Sequence, residues 1–141
     1  MMLGEYSVFQ LDTSTGYVNF SDPPDIHPKY PQMIHALGEA VYQLSAERNP
    51  DLVKLTAYAP SLQNRNNYAW TPNLISFEAK QNLTVRTTSY WQEWLFGNYR
   101  GTQVVPVEGE INPLYWVGNI NNSTQSFYLK VRSRPTTHSL D

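Results

Sequence analysis

The chain of 141 residues contains no cysteine, which excludes disulfide bonds, thiolate metal sites and a cysteine nucleophile. Charge runs are also missing, because ten basic and twelve acidic residues are dispersed and give a net charge of −2. A basic face for nucleic acid is therefore not expected. No apolar run approaches the roughly 20 residues that cross a bilayer, and no charged-then-apolar leader opens the chain. The composition predicts neither a nucleic-acid partner nor a membrane partner.

Aromatic residues and asparagine sequons are abundant instead. Four Trp and ten Tyr contribute to an aromatic content of 13%, and such planar rings suit sugar faces and protein cores equally well. Sequons of the form Asn-X-Ser/Thr begin at Asn19, Asn82, Asn121 and Asn122. They favour a secreted, extracellular glycoprotein, although the chain itself shows no signal peptide.

Hydrophobic periodicity in the first sixty residues predicts a strand, a helix and a second strand. Leu3 to Phe9 is expected as the first strand, and Leu52 to Ala59, closed by Pro60, as a buried second strand. Between them, the segment from Pro31 to Arg48 has an apolar stripe at helical spacing, formed by Ile34, Leu37, Val41 and Leu44. The order of these elements predicts a βαβ unit.

A loop and a second helix are expected next. Residues 60 to 73 are rich in Asn and predict a loop, and Leu74 to Phe77 is a short strand or a loop anchor. Ser89 and Gln92 form a capping-box pattern that predicts a helix of about 8 to 10 residues. Its apolar face would hold Trp91 and Trp94 in the core.

Alternating patterns follow Gly101 and predict antiparallel strands. Residues 103 to 107 are expected as an edge strand, because Pro106 cannot donate to a central ladder. Residues 114 to 120 and 126 to 132 predict a hairpin that buries the row Phe127, Leu129 and Val131, with Trp116 in a core or interface. Residues 1–100 therefore resemble part of a parallel α/β structure, and residues 101–141 part of an antiparallel sandwich.

Glu5 is the candidate for chemistry, because it lies where the first strand would end. Carboxyl ends of parallel strands carry catalytic groups in barrel enzymes, although a glutamate beside Gly4 is more often a solvated surface acid. Glu47, Arg48 and Asp51 near the end of the first helix are interpreted as structural charges. The three histidines have no metal-ligand spacing, so no metal site and no cofactor are expected.

A series of motifs in the same order resembles glycoside hydrolase family 51, over about residues 3 to 132. The segments that carry the resemblance are Gly4 to Val8, Gly38 to Asn49, Tyr58 to Pro60, Leu62 to Asn64, Trp70 to Phe77, Thr88 to Gln92 and Phe96 to Gly101. Each motif is weak alone, and their order makes the match specific. The resemblance implies an α/β fold that consists of the last βα units of a (β/α)₈ barrel, in residues 1–100, and part of a C-terminal β-sandwich, in residues 101–141.

The same resemblance implies a retaining α-L-arabinofuranosidase in which Glu5 is the nucleophile. Ser7 stands where the family usually has Ala. The family's acid/base glutamate follows an Asn at the end of the fourth barrel strand, and no segment of this chain matches it. We therefore expect low activity from the isolated chain and expect the N-terminal part of the same enzyme to be its partner. The implied substrates are terminal non-reducing α-L-arabinofuranosyl residues of arabinose-containing polysaccharides.

Three further residues are candidate substrate contacts. Tyr6 suits hydrogen bonding to substrate, with a packed core tyrosine as the alternative. Asn64 and Trp70 lie on the loop after the second strand and either contact substrate or brace the loop. Two other functions stay open for the whole chain: a non-catalytic carbohydrate-binding β-sandwich, and an inactive fragment.

Overall fold

The computed structural model describes residues 1–8, 31–66, 72–106, 108–109 and 114–133. The strands are β1 (Met2–Tyr6), β2 (Leu55–Tyr58), β3 (Leu62–Asn64), β4 (Ile75–Phe77), β5 (Val85–Arg86), β6 (Gln103–Val105), β7 (Leu114–Asn121) and β8 (Ser126–Ser133). The helices are α1 (Met33–Arg48), between β1 and β2, and α2 (Thr88–Asn98), between β5 and β6; a 3₁₀ turn spans Gln81–Leu83. In the described part of the chain, the strands form three small sheets, ordered β1-β2, β3-β4-β5 and β6-β7-β8.

The predicted βαβ unit is present, because β1 and β2 pair in parallel with α1 between them in sequence. β2 begins at Leu55, three residues later than predicted, since the backbone N–H groups of Leu52 and Val53 donate to the carbonyl of Asn49 in a turn at 3.1 and 2.9 Å. Local hydrogen bonds in this turn therefore shorten the strand that the apolar run predicted. The helix α1 also begins later than predicted, at Met33, two residues after Pro31.

A β-bulge interrupts β1 at Gly4 and Glu5. Leu3 pairs with Thr56 and Tyr6 pairs with Tyr58, so three residue steps on β1 face two steps on β2. Bulges carry one extra residue, redirect side chains and are frequent beside active sites. A glycine within a strand is a signal for such a bulge, and the prediction of a regular strand missed it.

The buried face of α1 is more polar than the sequence predicted. The residues it buries are His35, Ala36, Glu39, Gln43 and Leu44. Of the predicted apolar stripe, Leu44 is buried, whereas Ile34 is exposed. The predicted burial of the stripe is therefore wrong at its first residue, Ile34. The helix packs instead against polar side chains of α2 and against Tyr6 and Tyr58, and periodicity alone does not reveal these partners.

The start of α2 differs from the predicted capping box. Thr87 is the N-cap, and its Oγ1 accepts the backbone N–H of Tyr90 at 3.2 Å. The Thr87 hydroxyl also donates to the carbonyl of Asn73 at 2.7 Å, so a contact with the segment before β4 selects this start. Ser89 lies inside the 11-residue helix and is fully buried.

The predicted positions of the α2 tryptophans are wrong for this structure. Trp91 and Trp94 are 47% and 40% exposed, whereas Ser89 and Gln92 are buried. The two tryptophan rings pack edge to face against one another, with centroids 6.1 Å apart. The polar face of α2 turns towards α1, because Gln92 there bonds to Gln43.

The third sheet contains the predicted edge strand and antiparallel hairpin. β6 is an edge strand, and the β7–β8 hairpin pairs Leu114 with Ser133 and Asn121 with Ser126. The strand interpretation of residues 74–77 is likewise confirmed by β4, which pairs with β3 and β5.

The buried face of β8 is the opposite of the predicted one. Phe127, Leu129 and Val131 are 59%, 57% and 52% exposed. Lys130, on the other face, instead bonds to Glu47 of α1. Trp116 is half-buried, with the Arg48 guanidinium 5.7 Å from its ring centroid. Charged residues at the end of α1 therefore select the face that the hairpin turns inwards.

Neither helix within the described ranges is long and apolar enough to cross a membrane.

Candidate active site

Glu5 lies in the β1 bulge, next to the carboxyl end of the strand. Its side chain is exposed, whereas the next residue, Tyr6, is buried. Across the described ranges, no hydrogen bond or ion pair of the Glu5 carboxylate is found. A Cβ at Gly4 would meet nothing within 4 Å, so the surroundings of this bulge are open. The structure therefore presents a carboxylate that is accessible to a ligand.

Tyr6 packs inside the structure, below this carboxylate. Its ring stacks on Tyr42, with centroids 4.7 Å apart, and meets Tyr58 edge to face at 5.6 Å. Its hydroxyl donates to Glu93 Oε1 and accepts from Gln43 Nε2. Of the two interpretations given above, this placement is that of a packed tyrosine.

Glu93 of α2 joins the two helices beneath β1. Gln43 Nε2 donates to Glu93 Oε2 at 2.7 Å, and Gln92 Nε2 donates to Gln43 Oε1 at 3.1 Å. Burial raises the pKa of Glu93, and the hydrogen bonds from Tyr6 and Gln43 offset part of that rise. Burial and the neighbouring Glu93 raise the pKa of Tyr6, which keeps its hydroxyl protonated as a donor.

Glu39 of α1 forms a second carboxyl site, which is fully buried, whereas Glu93 is half-buried. Its Oε1 accepts the Tyr58 hydroxyl at 2.9 Å and the backbone N–H of Val8 at 3.5 Å. Burial raises the pKa of Glu39, and the nearby Ser89 hydroxyl and the hydrogen bond from Tyr58 offset part of that rise. Neither Glu39 Oε2 nor Ser89 Oγ has a partner that meets hydrogen-bond geometry among the described residues. Oε2 is therefore a buried polar atom without a compensating hydrogen bond from the described residues, which is consistent with the raised pKa of Glu39.

Glu93 and Glu39, which lie on the helices, bind the tyrosines that end β1 and β2. Tyr6 and Tyr58 are cross-strand partners, and the N–H of Ala59 donates to the carbonyl of Tyr6 at 3.1 Å. Each tyrosine hydroxyl is bound by a glutamate from a helix. Glu39, Gln43 and Glu93 are not among the site residues predicted from the sequence. The four-residue spacing of Glu39 and Gln43, which places both on one helical face, was the available signal.

A cavity of about 610 Å³ lies next to Gln43 and Glu93, on the side where β2 begins. Gln43 and Glu93 line it together with Lys54, Leu55 and Arg100. Leu55, which lines the cavity, is the first residue of β2, whereas Tyr58, which pairs with Tyr6, is the last. The cavity therefore lies towards the opposite end of the strands from Tyr6 and its neighbour Glu5. It gives solvent a route to Glu93.

Asn64 ends β3, which belongs to a different sheet from β1. Its side chain is exposed, and its Oδ1 accepts the backbone N–H of Asn66 at 3.0 Å. This contact braces the start of the loop, and a contact between Asn64 and substrate stays a prediction. Trp70 lies outside the described residues. Nowhere in the described ranges do three or more His, Asp or Glu side chains gather as a metal-binding group.

Known proteins are similar to this chain in sequence. The family described as alpha-L-arabinofuranosidase C-terminal domain matches residues 4–139. A probable alpha-L-arabinofuranosidase A of Aspergillus terreus is 39% identical over 104 residues, covering 72% of this chain and 16% of that protein. Alpha-L-arabinofuranosidase A of Aspergillus niger is 33% identical over 131 residues, covering 92% of this chain and 18% of that protein.

A solved structure agrees with these sequence matches. The arabinose-bound MgGH51 α-L-arabinofuranosidase is similar to this chain with a TM-score of 0.77 and 28% identity, over 92% of this chain and 20% of that one. The chain thus spans less than a fifth of the two curated relatives, at 16% and 18% of their lengths. Because the family match extends over residues 4–139 and the fold agrees with that of a GH51 enzyme, the chain belongs to the α-L-arabinofuranosidase C-terminal domain family.

Proposed function

We propose that this chain supplies the nucleophile, Glu5, of a retaining α-L-arabinofuranosidase. The observation that carries the proposal is an exposed carboxylate in a β-bulge at the carboxyl end of a parallel strand. Relatives that share this region are named α-L-arabinofuranosidases, and the similar solved structure holds arabinose. The substrate class is terminal non-reducing α-L-arabinofuranosyl residues in arabinose-containing polysaccharides or oligosaccharides.

The reaction divides into two displacements. Glu5 attacks the anomeric carbon of the arabinofuranosyl unit while a second carboxylic acid protonates the leaving oxygen. Water then attacks the glycosyl-enzyme, and the second carboxylate accepts its proton, so the configuration is retained. Carboxyl groups in such pairs lie about 5 to 5.5 Å apart. We assign the second group to the N-terminal part of the same enzyme, which is thereby the partner of this chain.

The fold of the whole enzyme follows from the same proposal. β1, α1, β2 and α2 belong to the last two βα units of a (β/α)₈ catalytic barrel, within residues 1–100. Strands β6 to β8 belong to a C-terminal β-sandwich, within residues 101–141. The parallel pair with its crossover helix and the antiparallel hairpin support this division.

The glutamates of the two helices, Glu93 and Glu39, then hold the part of the chain that carries Glu5 in place. Glu93 and Gln43 bind the hydroxyl of Tyr6, the residue next to the nucleophile, so they fix the end of β1 on which Glu5 stands. Glu39 fixes the backbone that continues from it at Val8. Side chains held in this way keep a reacting group within the narrow geometry that catalysis needs.

Substrate contacts and location complete the proposal. Asn64, at the end of β3, and Trp70 contact the sugar, whereas the Tyr6 hydroxyl is occupied by Gln43 and Glu93. The enzyme is extracellular, in agreement with its sequons and with polysaccharide substrates.

The test uses the whole enzyme that carries this chain. A mechanism-based inhibitor that traps the glycosyl-enzyme is expected to label the peptide with Glu5, as read by mass spectrometry. Glu5→Ala should abolish hydrolysis of activated and natural substrates, and added azide should restore a product of inverted configuration. The matched control is Glu108→Ala, which removes another exposed glutamate and should leave both readouts unchanged. A label on any other carboxylate would refute the assignment.

One observation favours a different class of function, a non-catalytic carbohydrate-binding surface. Trp91 and Trp94 expose their rings on α2, and Tyr99 is exposed after it. Rings of this kind stack on sugars. If the double variant Trp91→Ala/Trp94→Ala lost polysaccharide binding while Glu5→Ala changed neither binding nor turnover, the binding function would replace the catalytic one.

A further inference from the structure

We propose that Asn122, rather than its neighbour Asn121, is the N-glycosylated residue of the β7–β8 turn. Two sequons overlap there, Asn121-Asn122-Ser123 and Asn122-Ser123-Thr124, and the pattern alone does not choose between them. The inference rests on the extracellular route proposed above, because the glycosyl donor is met on that route. The structure distinguishes the two asparagines by their roles in the turn.

Asn121 is built into the hairpin. It is the last residue of β7, pairs with Ser126 and is half-buried. Its Oδ1 accepts the backbone N–H groups of Ser123 and Thr124 at 3.0 and 3.3 Å. This arrangement is an Asx turn, in which the carboxamide replaces a backbone acceptor and holds the turn closed. A bulky substituent on this carboxamide has to be accommodated beside the strand that it closes.

Asn122 is exposed at the tip, and its backbone rather than its side chain is held. Its N–H donates to Thr102 Oγ1 at 3.1 Å, and its carbonyl accepts from Gln125 Nε2 at 2.7 Å. No hydrogen bond of its carboxamide is found in the described part of the chain. Ser123 and Thr124 are exposed as well. A glycan on Asn122 therefore displaces no contact of the folded hairpin.

The modification is a group transfer from an oligosaccharide linked to a lipid diphosphate. Asn122 Nδ2 forms a bond to the anomeric carbon of the first sugar and loses a proton. The bond between that carbon and the diphosphate oxygen breaks, and the lipid diphosphate leaves with the electron pair. The hydroxyl of Thr124 is the third element that the acceptor pattern requires.

Single substitutions separate the two sequons cleanly. Thr124→Ala removes only the Asn122 sequon, and Ser123→Ala removes only the Asn121 sequon. The background carries Asn19→Gln and Asn82→Gln, so that the turn holds the remaining sequons of the chain. The whole enzyme is directed into the secretory pathway of a yeast by a fused signal sequence. Enzymatic release of glycans in heavy-oxygen water then marks each used asparagine for mass spectrometry.

We expect the Ser123→Ala protein to keep its glycan on Asn122, and the Thr124→Ala and Asn122→Gln proteins to lose it. A glycan on Asn121 that survives Thr124→Ala and disappears with Ser123→Ala would overturn the proposal. So would a turn that carries no glycan although a version with Asn82 restored is glycosylated there. Because the signal is supplied, these results do not depend on the natural location or on Glu5. Recovery of the natural enzyme from inside cells would instead count against the extracellular route.

Discussion

Glu39 is buried and Glu93 is half-buried, and the described partners of both carboxyl groups are hydroxyl and amide groups rather than cations. Glu39 accepts from Tyr58 and Val8, and Glu93 accepts from Tyr6 and Gln43. Burial raises the pKa of both glutamates, because an ionised carboxylate loses hydration that these neutral donors replace only in part. At pH values between the unfolded and the raised folded pKa values, the folded protein therefore binds more protons at these groups than the unfolded chain does.

Stability is expected to fall as pH rises. An unfolded glutamate titrates near pH 4.3, and the folded values lie above that, so the folded state holds more protons in this window. The contribution is fully present below about pH 4.3 and is lost as pH rises through the raised folded values. Thermal melting of the whole enzyme between about pH 4 and 8 should show the unfolding midpoint falling towards pH 8.

Glutamine variants identify the groups behind this pH dependence. Glu39→Gln and Glu93→Gln keep the shape of the side chain but cannot ionise, so each should flatten the profile. Glu108→Gln, at an exposed glutamate, should leave the profile as in the parent. A slope unchanged by both buried substitutions would show that other groups cause it.

At the scale of elements, the approach of the chain to β7 depends on Gly101. A Cβ at this position would lie 2.6 Å from Asn119 Cβ and 2.8 Å from the carbonyl oxygen of Ile120. The N–H of Thr102 donates to that same carbonyl at 2.8 Å, so the backbone cannot withdraw without loss of the bond. Gly101 thus allows the chain between α2 and β6 to pack closely against β7.

Gly101→Ala is expected to destabilise the protein by about 1 to 3 kcal/mol, as for other overpacked sites. The measurement is the denaturant midpoint of the whole enzyme, followed by a probe in the third sheet. Gly97→Ala is the matched control, because a Cβ there meets nothing within 4 Å in an exposed part of α2. Replacing that helical glycine should be neutral or stabilising by about 0.5 to 1 kcal/mol. Equal effects of the two substitutions would contradict the close approach at Gly101.

At the scale of the whole molecule, apolar surface remains open. Phe127, Leu129 and Val131 form an exposed row on β8, and Trp91, Trp94 and Leu95 are exposed on α2. The parallel pair of β1 and β2 also has no further strand on either side in the described sheets. Small parallel sheets normally lie inside larger ones, covered on both faces. The proposed N-terminal partner would cover such surfaces.

The isolated chain is therefore expected to fold poorly and to lack activity. Apolar dye should bind to it, and its amide spectrum should show little dispersion. An aryl arabinofuranoside should not be hydrolysed at rates typical of the whole enzyme, because a missing acid/base group costs about 10² to 10⁴ in rate. A sharp cooperative melt of a monomer, or turnover at the rate of the whole enzyme, would disprove this expectation.

Local patterns in the sequence determined the βαβ unit, the second helix, the β7–β8 hairpin and the position of Glu5 near a strand end, whereas they missed the short strands β3, in the predicted loop, and β5. These features depend on residues close together in the chain, where alternation, helical spacing and turn residues act directly. The ordered motifs also identified the family, and the family match over residues 4–139 confirms it.

Tertiary structure alone decided which faces are buried. Thr87 rather than Ser89 caps α2 because Asn73 binds its hydroxyl, and β8 turns Lys130 inwards because Glu47 lies on α1. The bond between Gln43 and Glu93 joins residues 50 positions apart. No local pattern specifies such a partner, since a buried carboxyl group is stable only where distant elements bring donors to it.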